Sequence, residues 1–248
     1  MRDLVFPRDD ELRSELDDLA SRVDSVARYM RAVSTGHFQH PDGSTDPLRE
    51  VALSLPQAAL IAHVAKRCPT TLSVEVGFGM GSSAAVILGA RYDGGHEFQH
   101  LAFDPYGLPS GRGRVVRAYL ETEFAGSFRL IEKRSEVGLA LLADKHGAGQ
   151  VGLVFIDGAH HFENVMADFV LADLLCCEGG YIIFDDAWFP AIETVINYAR
   201  RNRKDYAIAH LAAPSTTVLQ KIAPDDREWF EFCPFEVPTR RDWTSVCS

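Results

Sequence analysis

The stretch of sequence that decides the fold is TLSVEVGFGMGSS, residues 71–83. Its apolar residues indicate a short buried strand, which breaks at Gly77, Gly79 and Gly81 before a helix that we expect over about residues 82–90. Glycine is needed where a backbone takes a positive φ or approaches a ligand closely. A helix that begins after such a turn offers free backbone N–H groups to a bound molecule. The stretch therefore predicts a nucleotide-sized binding site, although a glycine-rich turn without a ligand would have the same pattern.

The spacing of these glycines indicates which nucleotide would bind. A dinucleotide fingerprint is G-x-G-x-x-G, whereas this sequence has G-x-G-x-G and places Ser82 at the third fingerprint glycine. Glu75 precedes the turn and would repel a pyrophosphate, but it suits a ligand with positive charge or with hydroxyl and amine donors. S-adenosylmethionine is such a ligand, because it carries a sulfonium, an ammonium and a ribose. The candidate residues of this stretch for binding S-adenosylmethionine are Glu75, Gly77, Gly79, Gly81, Ser82 and Ser83.

The composition of the chain argues against several classes of function. Its 248 residues are 46% apolar, enough for one large domain with additions, and its formal net charge of −10 argues against a nucleic-acid partner. The five cysteines form no C-x-x-C pair, which is typical of reduced thiols rather than of disulfides. The N-terminus is charged, and no apolar run reaches the roughly 20 residues of a membrane span. We therefore expect a soluble, cytoplasmic protein without a membrane partner.

From about residue 55 to residue 222 the sequence alternates between predicted strands and helices. Repeated βα units predict an α/β fold with a doubly wound, mostly parallel sheet and helices on both faces. One helix is predicted over residues 161–177, with the adjacent Cys176 and Cys177 inside it, and the next strand over residues 181–184. We predict three segments: an N-terminal helix and lid-like loop (1–54), an S-adenosylmethionine-binding domain (55–222) and an aromatic tail (223–248).

The two flanking segments differ from this alternating pattern. Residues 9–33 have an apolar stripe at helical spacing, which needs a partner surface on the main domain or on a second subunit. The loop that follows contains His37 and His40, which are either ordinary loop residues or lid residues that touch a substrate. We expect the aromatic residues of the tail to pack on the domain or on a second subunit. Assembly of a homo-oligomer through the N-terminal helix or through the tail is therefore an open alternative. These tail residues are Trp229, Phe230, Phe232, Phe235 and Trp243.

Acidic residues follow several predicted strands, and in a doubly wound sheet ligands bind beyond the carboxyl ends of the strands. If the strands before Asp157 and before the pair Asp185-Asp186 are neighbours, three carboxylates converge. Two unit charges ~4 Å apart repel by about 4 kcal/mol at an effective dielectric constant of 20, so a third requires a proton or a cation. Carboxylate oxygens favour Mg²⁺ or Ca²⁺ over Zn²⁺. We predict a divalent cation, with Mg²⁺ as the first choice, although Asp157 and Asp185 could instead cap the helices that follow.

Two motifs in this sequence resemble those of known families. Residues 74–81 resemble the first motif, E/D-x-G-x-G-x-G, of class I S-adenosylmethionine-dependent methyltransferases. The residues D-G-A-H at 157–160 and D-D at 185–186 resemble the metal-dependent macrocin O-methyltransferase family, which methylates sugar hydroxyls, and more distantly catechol O-methyltransferase. The resemblance covers about residues 55–222. It implies a Rossmann-like, seven-stranded sheet whose last strand is antiparallel, here with an N-terminal helical extension.

The resemblance also implies roles for single residues. Asp104 would bind the ribose hydroxyls, although Asp-Pro sequences also make turns, and Ser135 would lie near the adenine. His160 would act with Asp157 in catalysis by taking the proton of the attacking hydroxyl, a role that suits the pKa of imidazole. His160 could instead bond to backbone at a helix start, with His161 as the spare base. Two aromatic residues, Trp188 and Phe189, would line the acceptor pocket or pack in the core.

These observations predict an S-adenosylmethionine-dependent, divalent-cation-assisted O-methyltransferase. Its acceptor would be a hydroxyl of a small molecule, either a natural-product sugar or an aromatic compound. Three alternatives stay open: a metal-independent N- or C-methyltransferase, an S-adenosylmethionine-binding protein without catalysis, and a nicotinamide dehydrogenase, which the position of Ser82 disfavours.

Overall fold

A computed structural model describes residues 2–39, 43, 45–47, 53–105, 114–210 and 215–238. The strands are β1 (Arg2–Asp3), β2 (His37–Gln39), β3 (Thr45–Pro47), β4 (Leu72–Val76), β5 (Gln99–Phe103), β6 (Phe128–Ile131), β7 (Val151–Ile156), β8 (Cys176–Phe184), β9 (Tyr206–His210) and β10 (Thr217–Lys221). The helices are α1 (Asp9–Arg22), α2 (Asp24–Thr35), α3 (Leu55–Lys66), α4 (Ser82–Asp93), α5 (Arg114–Glu123), α6 (Ser135–His146), α7 (Phe162–Leu175) and α8 (Pro190–Asn202).

The main sheet has the order β1-β9-β10-β8-β7-β4-β5-β6. Its strands run parallel except β10, which is antiparallel to both β8 and β9. The order confirms the predicted doubly wound α/β fold. Within the described part of the chain the sheet has eight strands rather than the predicted seven, because Arg2 and Asp3 pair with β9 at its edge. Such a short edge pairing leaves no signal in the sequence.

The register of the central strands aligns the residues that follow them. Val76 pairs with Phe103 on one side and with Ile156 on the other, and Ile156 pairs with Phe184. Each of these four residues is the last of its strand. The residues that come next in the chain therefore lie in one row at the carboxyl edge of the sheet, where the strand order reverses between β4 and β7.

The N-terminal segment packs on the main domain and consists of two helices, so the predicted single helix over residues 9–33 is wrong. Val23 interrupts it with extended backbone, and its buried side chain packs in the core beside Val26. Helix α1 packs on α3 and α2 packs on α4. The approach of α2 is close, because a Cβ on Gly89 of α4 would lie 2.4 Å from a methyl carbon of Val26.

Cys176 and Cys177 begin strand β8 rather than end a helix. Helix α7 stops at Leu175, and Cys176 already has extended backbone. The strand passes through the two glycines that we expected to precede it, with a shift of register against β7 between Val151 and Leu153. A Cβ on Gly180 would lie 2.8 Å from the Cys176 sulfur, so this irregular path requires glycine. A bulged strand of this kind has no regular periodicity to predict.

The aromatic tail contacts helix α8 of its own domain. Phe235 packs edge-on against Tyr198, and the Asn202 side-chain amide donates to the Cys233 carbonyl. Three of its aromatic residues, Trp229, Phe230 and Phe232, remain exposed. The homo-oligomer and the segment boundaries stay predictions.

Two of the residues singled out in the sequence, His40 and Trp243, lie outside the described part of the chain, as do parts of the lid-like loop and the tail. Among the helices that the structure describes, none combines the length and apolarity that a membrane crossing requires.

Candidate active site

A cavity of about 750 Å³ opens at the carboxyl edge of the sheet. Most of the predicted site residues line it, and two of them, Glu75 and Gly81, do not. The predicted residues in its wall are Gly77, Gly79, Ser82, Ser83, Asp104, Ser135, Asp157, His160, Asp185 and Asp186. One enclosed space thus adjoins both the glycine turn and the acidic strand ends.

The glycine turn requires glycine for two physical reasons. Gly77 has φ +86°, and a Cβ there would lie 2.0 Å from the Asp157 backbone oxygen, so no side chain fits between β4 and β7. Gly81 has φ +75° at the start of α4, where a Cβ would lie 2.8 Å from the Phe78 ring. At Gly79, by contrast, a Cβ would meet no atom within 4 Å. The open space beside Gly79 is where a ligand can approach the backbone, as a nucleotide-type donor needs.

Asp104 holds the glycine turn in place. Its Oδ2 accepts hydrogen bonds from the backbone N–H groups of Phe78 (3.0 Å) and Gly79 (3.1 Å). The carboxylate therefore reaches from the end of β5 to the turn after β4, at the side of the cavity where we predicted a ribose. The ribose contact itself stays a prediction.

Glu75 lies beneath the cavity rather than in its wall, and its predicted role in donor binding stays a prediction. Side chains alternate along β4, so Glu75 faces the start of α4 while Val74 and Val76 face the other side. Its carboxylate is fully buried, accepts the Ser83 hydroxyl at 2.8 Å and lies 3.5 Å from His100 Nε2. Glu75 is thus linked to the cavity through Ser83, which lines it.

The acidic strand ends bring three candidate metal ligands together. His160 Nε2 lies 3.8 Å from Asp157 Oδ1 and 3.4 Å from Asp186 Oδ2. One ligand atom from each residue lies within 4.8 Å of the other two. Two carboxylates and an imidazole at this spacing can hold a divalent cation together with water molecules.

Asp185 does not join this group, in contrast to the predicted ligand set of Asp157, Asp185 and Asp186. Its side chain is buried, and its Oδ1 accepts hydrogen bonds from Gln57 Nε2 (2.6 Å) and from the Asp186 N–H (2.8 Å). The φ of +49° at Asp186 takes the chain out of the strand conformation, and Asp186 rather than Asp185 then lies beside Asp157 and His160. Burial raises the pKa of Asp185 to about 7, and the charge of Asp157 adds to this effect.

Crowded negative charge also changes the titration of the candidate ligands. Burial raises the pKa of Asp157, with the charge of Asp186 as a further cause. The neighbouring Asp157 carboxylate raises the pKa of His160, and the charge of Asp186 contributes as well. Both shifts favour the protonated forms of these two side chains.

The aromatic residues beside the acidic group are partly as predicted. Trp188 lines the cavity, and its Nε1–H donates to Asp186 Oδ1 at 3.1 Å. Its ring stacks on Phe189, with the centroids 4.0 Å apart, and Phe189 in turn lies 4.8 Å from the His160 ring. Phe189 therefore supports His160 and Trp188 and is not itself in the cavity wall. His161 lines the cavity, whereas His37 lines a separate, smaller one.

Sequence analysis missed Gln57 and Ser215, both of which line the cavity. Gln57 stands three residues after Ser54, a spacing that indicates a helix-capping box, and the structure has that box. The capping box alone accounts for a glutamine at position 57, so the sequence does not indicate that the residue has a second role. Ser215 precedes β10 and has no pattern of its own.

Comparison with known proteins gives one family match and a shared fold. Residues 74–187 match a family model described as "Methyltransferase domain". No curated protein matches the chain. Among solved structures, the fold is shared with the S-adenosylhomocysteine-bound methyltransferase PaMTH1 of Podospora anserina, at 15% identity and a TM-score of 0.58, covering 89% of this chain and 99% of that chain.

Two further structures with the same fold are O-methyltransferases. TomG of Streptomyces achromogenes, in complex with S-adenosylmethionine and involved in tomaymycin synthesis, has 15% identity and a TM-score of 0.56, covering 89% of this chain and 92% of that chain. CalS11, a TDP-rhamnose 3′-O-methyltransferase of calicheamicin biosynthesis, has 13% identity and a TM-score of 0.55, covering 88% and 96%. The family model thus matches residues 74–187 as a methyltransferase domain, and the three solved structures share the fold of the chain.

Proposed function

We propose that the protein is an S-adenosylmethionine-dependent O-methyltransferase that acts on a hydroxyl of a small molecule with the help of a divalent cation, Mg²⁺ in the first instance. One observation carries the proposal: Asp157, His160 and Asp186 converge on the cavity that the glycine turn also borders. A protein that only binds the donor has no need of this group. The activities named for TomG and CalS11 support a hydroxyl acceptor.

The glycine turn and the start of α4 would bind the donor. The backbone beside Gly79 is open to the cavity, and Ser82 and Ser83 present the first turn of a helix. The N-terminal end of a helix has unpaired N–H groups, which suit the carboxylate of the donor's methionine part. Asp104 keeps the turn in the conformation that exposes these groups. The donor, when bound, supplies an electrophilic methyl group on a sulfonium.

Asp157 and Asp186 would hold the cation, which supplies Lewis-acid polarisation of the acceptor oxygen and lowers the pKa of the hydroxyl. His160 would accept the hydroxyl proton at Nε2, the ring nitrogen that faces both carboxylates. The two carboxylates stabilise the imidazolium that results, because they lie on the same side of the ring. Phe189 packs on the His160 ring and restricts its orientation.

The experiment measures formation of S-adenosylhomocysteine from a panel of sugar and phenol acceptors, with Mg²⁺ or with EDTA. Asp157→Asn and Asp186→Asn should abolish turnover while calorimetry still detects S-adenosylhomocysteine binding. Glu178→Gln is the matched control. It removes an exposed carboxylate near the start of β8, at the other end of the strand from Asp186, and should leave turnover unchanged.

Each other result would point to one alternative. Turnover that survives both EDTA and the two substitutions would contradict the role of the cation and favour a metal-independent N- or C-methyltransferase. Donor binding without turnover on any acceptor of the panel would favour a binding protein. Failure to bind S-adenosylhomocysteine at all would refute the assignment as a methyltransferase.

A further inference from the structure

Gln57 occupies the third position of helix α3 and uses all of its hydrogen-bonding groups. Its Oε1 accepts hydrogen bonds from the Ser54 backbone N–H (2.8 Å) and the Ser54 hydroxyl (2.7 Å), which completes the cap of the helix. Its Nε2 points away from the helix and donates to Asp185 Oδ1 (2.6 Å) and to the Ser215 hydroxyl (2.7 Å). The residue is buried and lies in the wall of the cavity. It therefore joins three segments that meet there.

The contact with Asp185 continues to Asp186. Asp185 Oδ1 accepts the Asp186 backbone N–H, and Asp186 has φ +49°. Among the described residues it is the only residue other than glycine with a positive φ. Aspartate adopts this left-handed conformation less readily than glycine, so its backbone contacts help to decide whether it persists. The Asp185 carboxylate, which Gln57 holds, is one of the contacts that favour it, together with the hydrogen bond from the Phe189 N–H to the Asp186 carbonyl at 2.9 Å.

The side-chain NH₂ group of Gln57, rather than the helix cap that its oxygen completes, explains why this residue is a glutamine. A capping box accepts Glu as well as Gln at this position, because only the side-chain oxygen is used. A glutamate would place a second carboxylate against Asp185 and could not donate to it. Glutamine rather than glutamate is thus required at this position because Asp185, which lies outside the helix, needs a hydrogen-bond donor.

From these contacts we propose that Gln57 is a positioning residue that sets the place of the Asp186 carboxylate beside His160. The inference rests on the proposed function in so far as Asp186 holds a cation. Through Asp185, Gln57 fixes the backbone of Asp186 and so the direction of its side chain, whose Oδ2 lies 3.4 Å from His160 Nε2.

The test uses two variants of Gln57 and one control. Gln57→Glu keeps the cap and removes the donor, whereas Gln57→Met removes both. Gln220→Met is the matched control, because Gln220 also donates twice through Nε2, to the Gly179 carbonyl and the Tyr181 hydroxyl, but it does not line the cavity. Mn²⁺ affinity is measured by electron paramagnetic resonance, S-adenosylhomocysteine affinity by calorimetry, and Tm by calorimetric scanning.

We expect both Gln57 variants to bind Mn²⁺ about 10–100-fold more weakly, the usual effect of losing a group that orients a metal ligand. S-adenosylhomocysteine affinity should not change, because the glycine turn is untouched. Gln220→Met should lower the Tm without any effect on Mn²⁺. Wild-type Mn²⁺ affinity in Gln57→Glu would overturn the proposal, since this variant keeps the helix cap.

A crystal structure of Gln57→Met separates this proposal from the proposed function. If the wild-type protein binds no Mn²⁺, the cation part of the proposed function fails, and the structure then decides the role of Gln57. We expect the Asp186 backbone to leave the positive-φ region and its carboxylate to move away from His160. An unchanged Asp186 in that variant would overturn the proposal whatever the metal result.

Discussion

Asp168 is expected to make the stability of the protein depend on pH. The side chain is buried in α7, and neither of its carboxylate oxygens has a hydrogen-bond partner among the described residues. It lies under the cavity, with its Oδ2 3.8 Å from where a Cβ of Gly158 would be. Burial raises its pKa from 3.8 to about 6. We predict that replacing it with asparagine stabilises the protein at alkaline relative to acidic pH.

The size and the sign of the effect follow from this pKa. The folded state keeps a proton that the unfolded chain has already lost, so the contribution of Asp168 to stability is fully present below about pH 4 and is lost as the pH rises through about 6. A pKa shift from 3.8 to about 6 corresponds to about 3 kcal/mol. Asp168→Asn removes this dependence but leaves a buried polar group, whose cost does not change with pH.

Urea unfolding at pH 4 and at pH 8 measures the effect. The difference in unfolding free energy, Asp168→Asn minus wild type, should be more positive at pH 8 than at pH 4 by up to about 3 kcal/mol. Asp144→Asn, a substitution in helix α6, serves as the control and should show the same difference at both pH values. An equal difference for Asp168→Asn at the two pH values would refute the reasoning, because the carboxylate would then titrate normally when folded.

Three further predictions test other parts of the account. Gly77→Ala should abolish S-adenosylhomocysteine binding in calorimetry, because its Cβ would strike the Asp157 carbonyl; Gly126→Ala, with φ +82° but no atom near, should keep binding and lose only about 1 kcal/mol of stability. Leu16→Ala should cost about 2–5 kcal/mol in urea unfolding, since this fully buried side chain joins α1 to the core; a cost near zero would contradict that packing. The kcat/KM of the wild type should fall at acidic pH as His160 becomes protonated, and His160→Gln should lack that acidic limb; a limb that persists would assign it to another group.

Much of the fold follows from local patterns in the sequence. The alternation of strands and helices after residue 55 specifies a doubly wound sheet, and the strand order then places Asp104, Asp157 and Asp186 at one edge. The glycine turn is equally visible, because Gly77 has to pass against the β7 backbone and no other residue can do so.

The direction of single side chains at the site was not predictable. Glu75 was predicted to bind the donor and Asp185 to bind the metal, but their carboxylates accept hydrogen bonds from Ser83 and Gln57 instead of joining the group of candidate ligands. Which way a strand-end side chain points depends on the pleat and on partners distant in sequence. The partner of Asp185 lies 128 positions earlier in the chain, and no local pattern could show it.

The break of the N-terminal helix at Val23 has a similar cause. The apolar stripe of residues 9–33 continues across the break at helical spacing, so local periodicity predicts one helix. The two halves instead follow two different helices of the domain, α3 and α4. Tertiary packing overrides helix propensity here.

The central claim is that the strand ends after β7 and β8 bind a cation beside the methyl donor. Crystals of the wild-type protein grown with S-adenosylhomocysteine and Mn²⁺, and measured at the manganese absorption edge, test it directly. The account predicts an anomalous peak in contact with the carboxylates of Asp157 and Asp186, next to a nucleoside bound along the glycine turn. A bound nucleoside with no peak between those two carboxylates would contradict it.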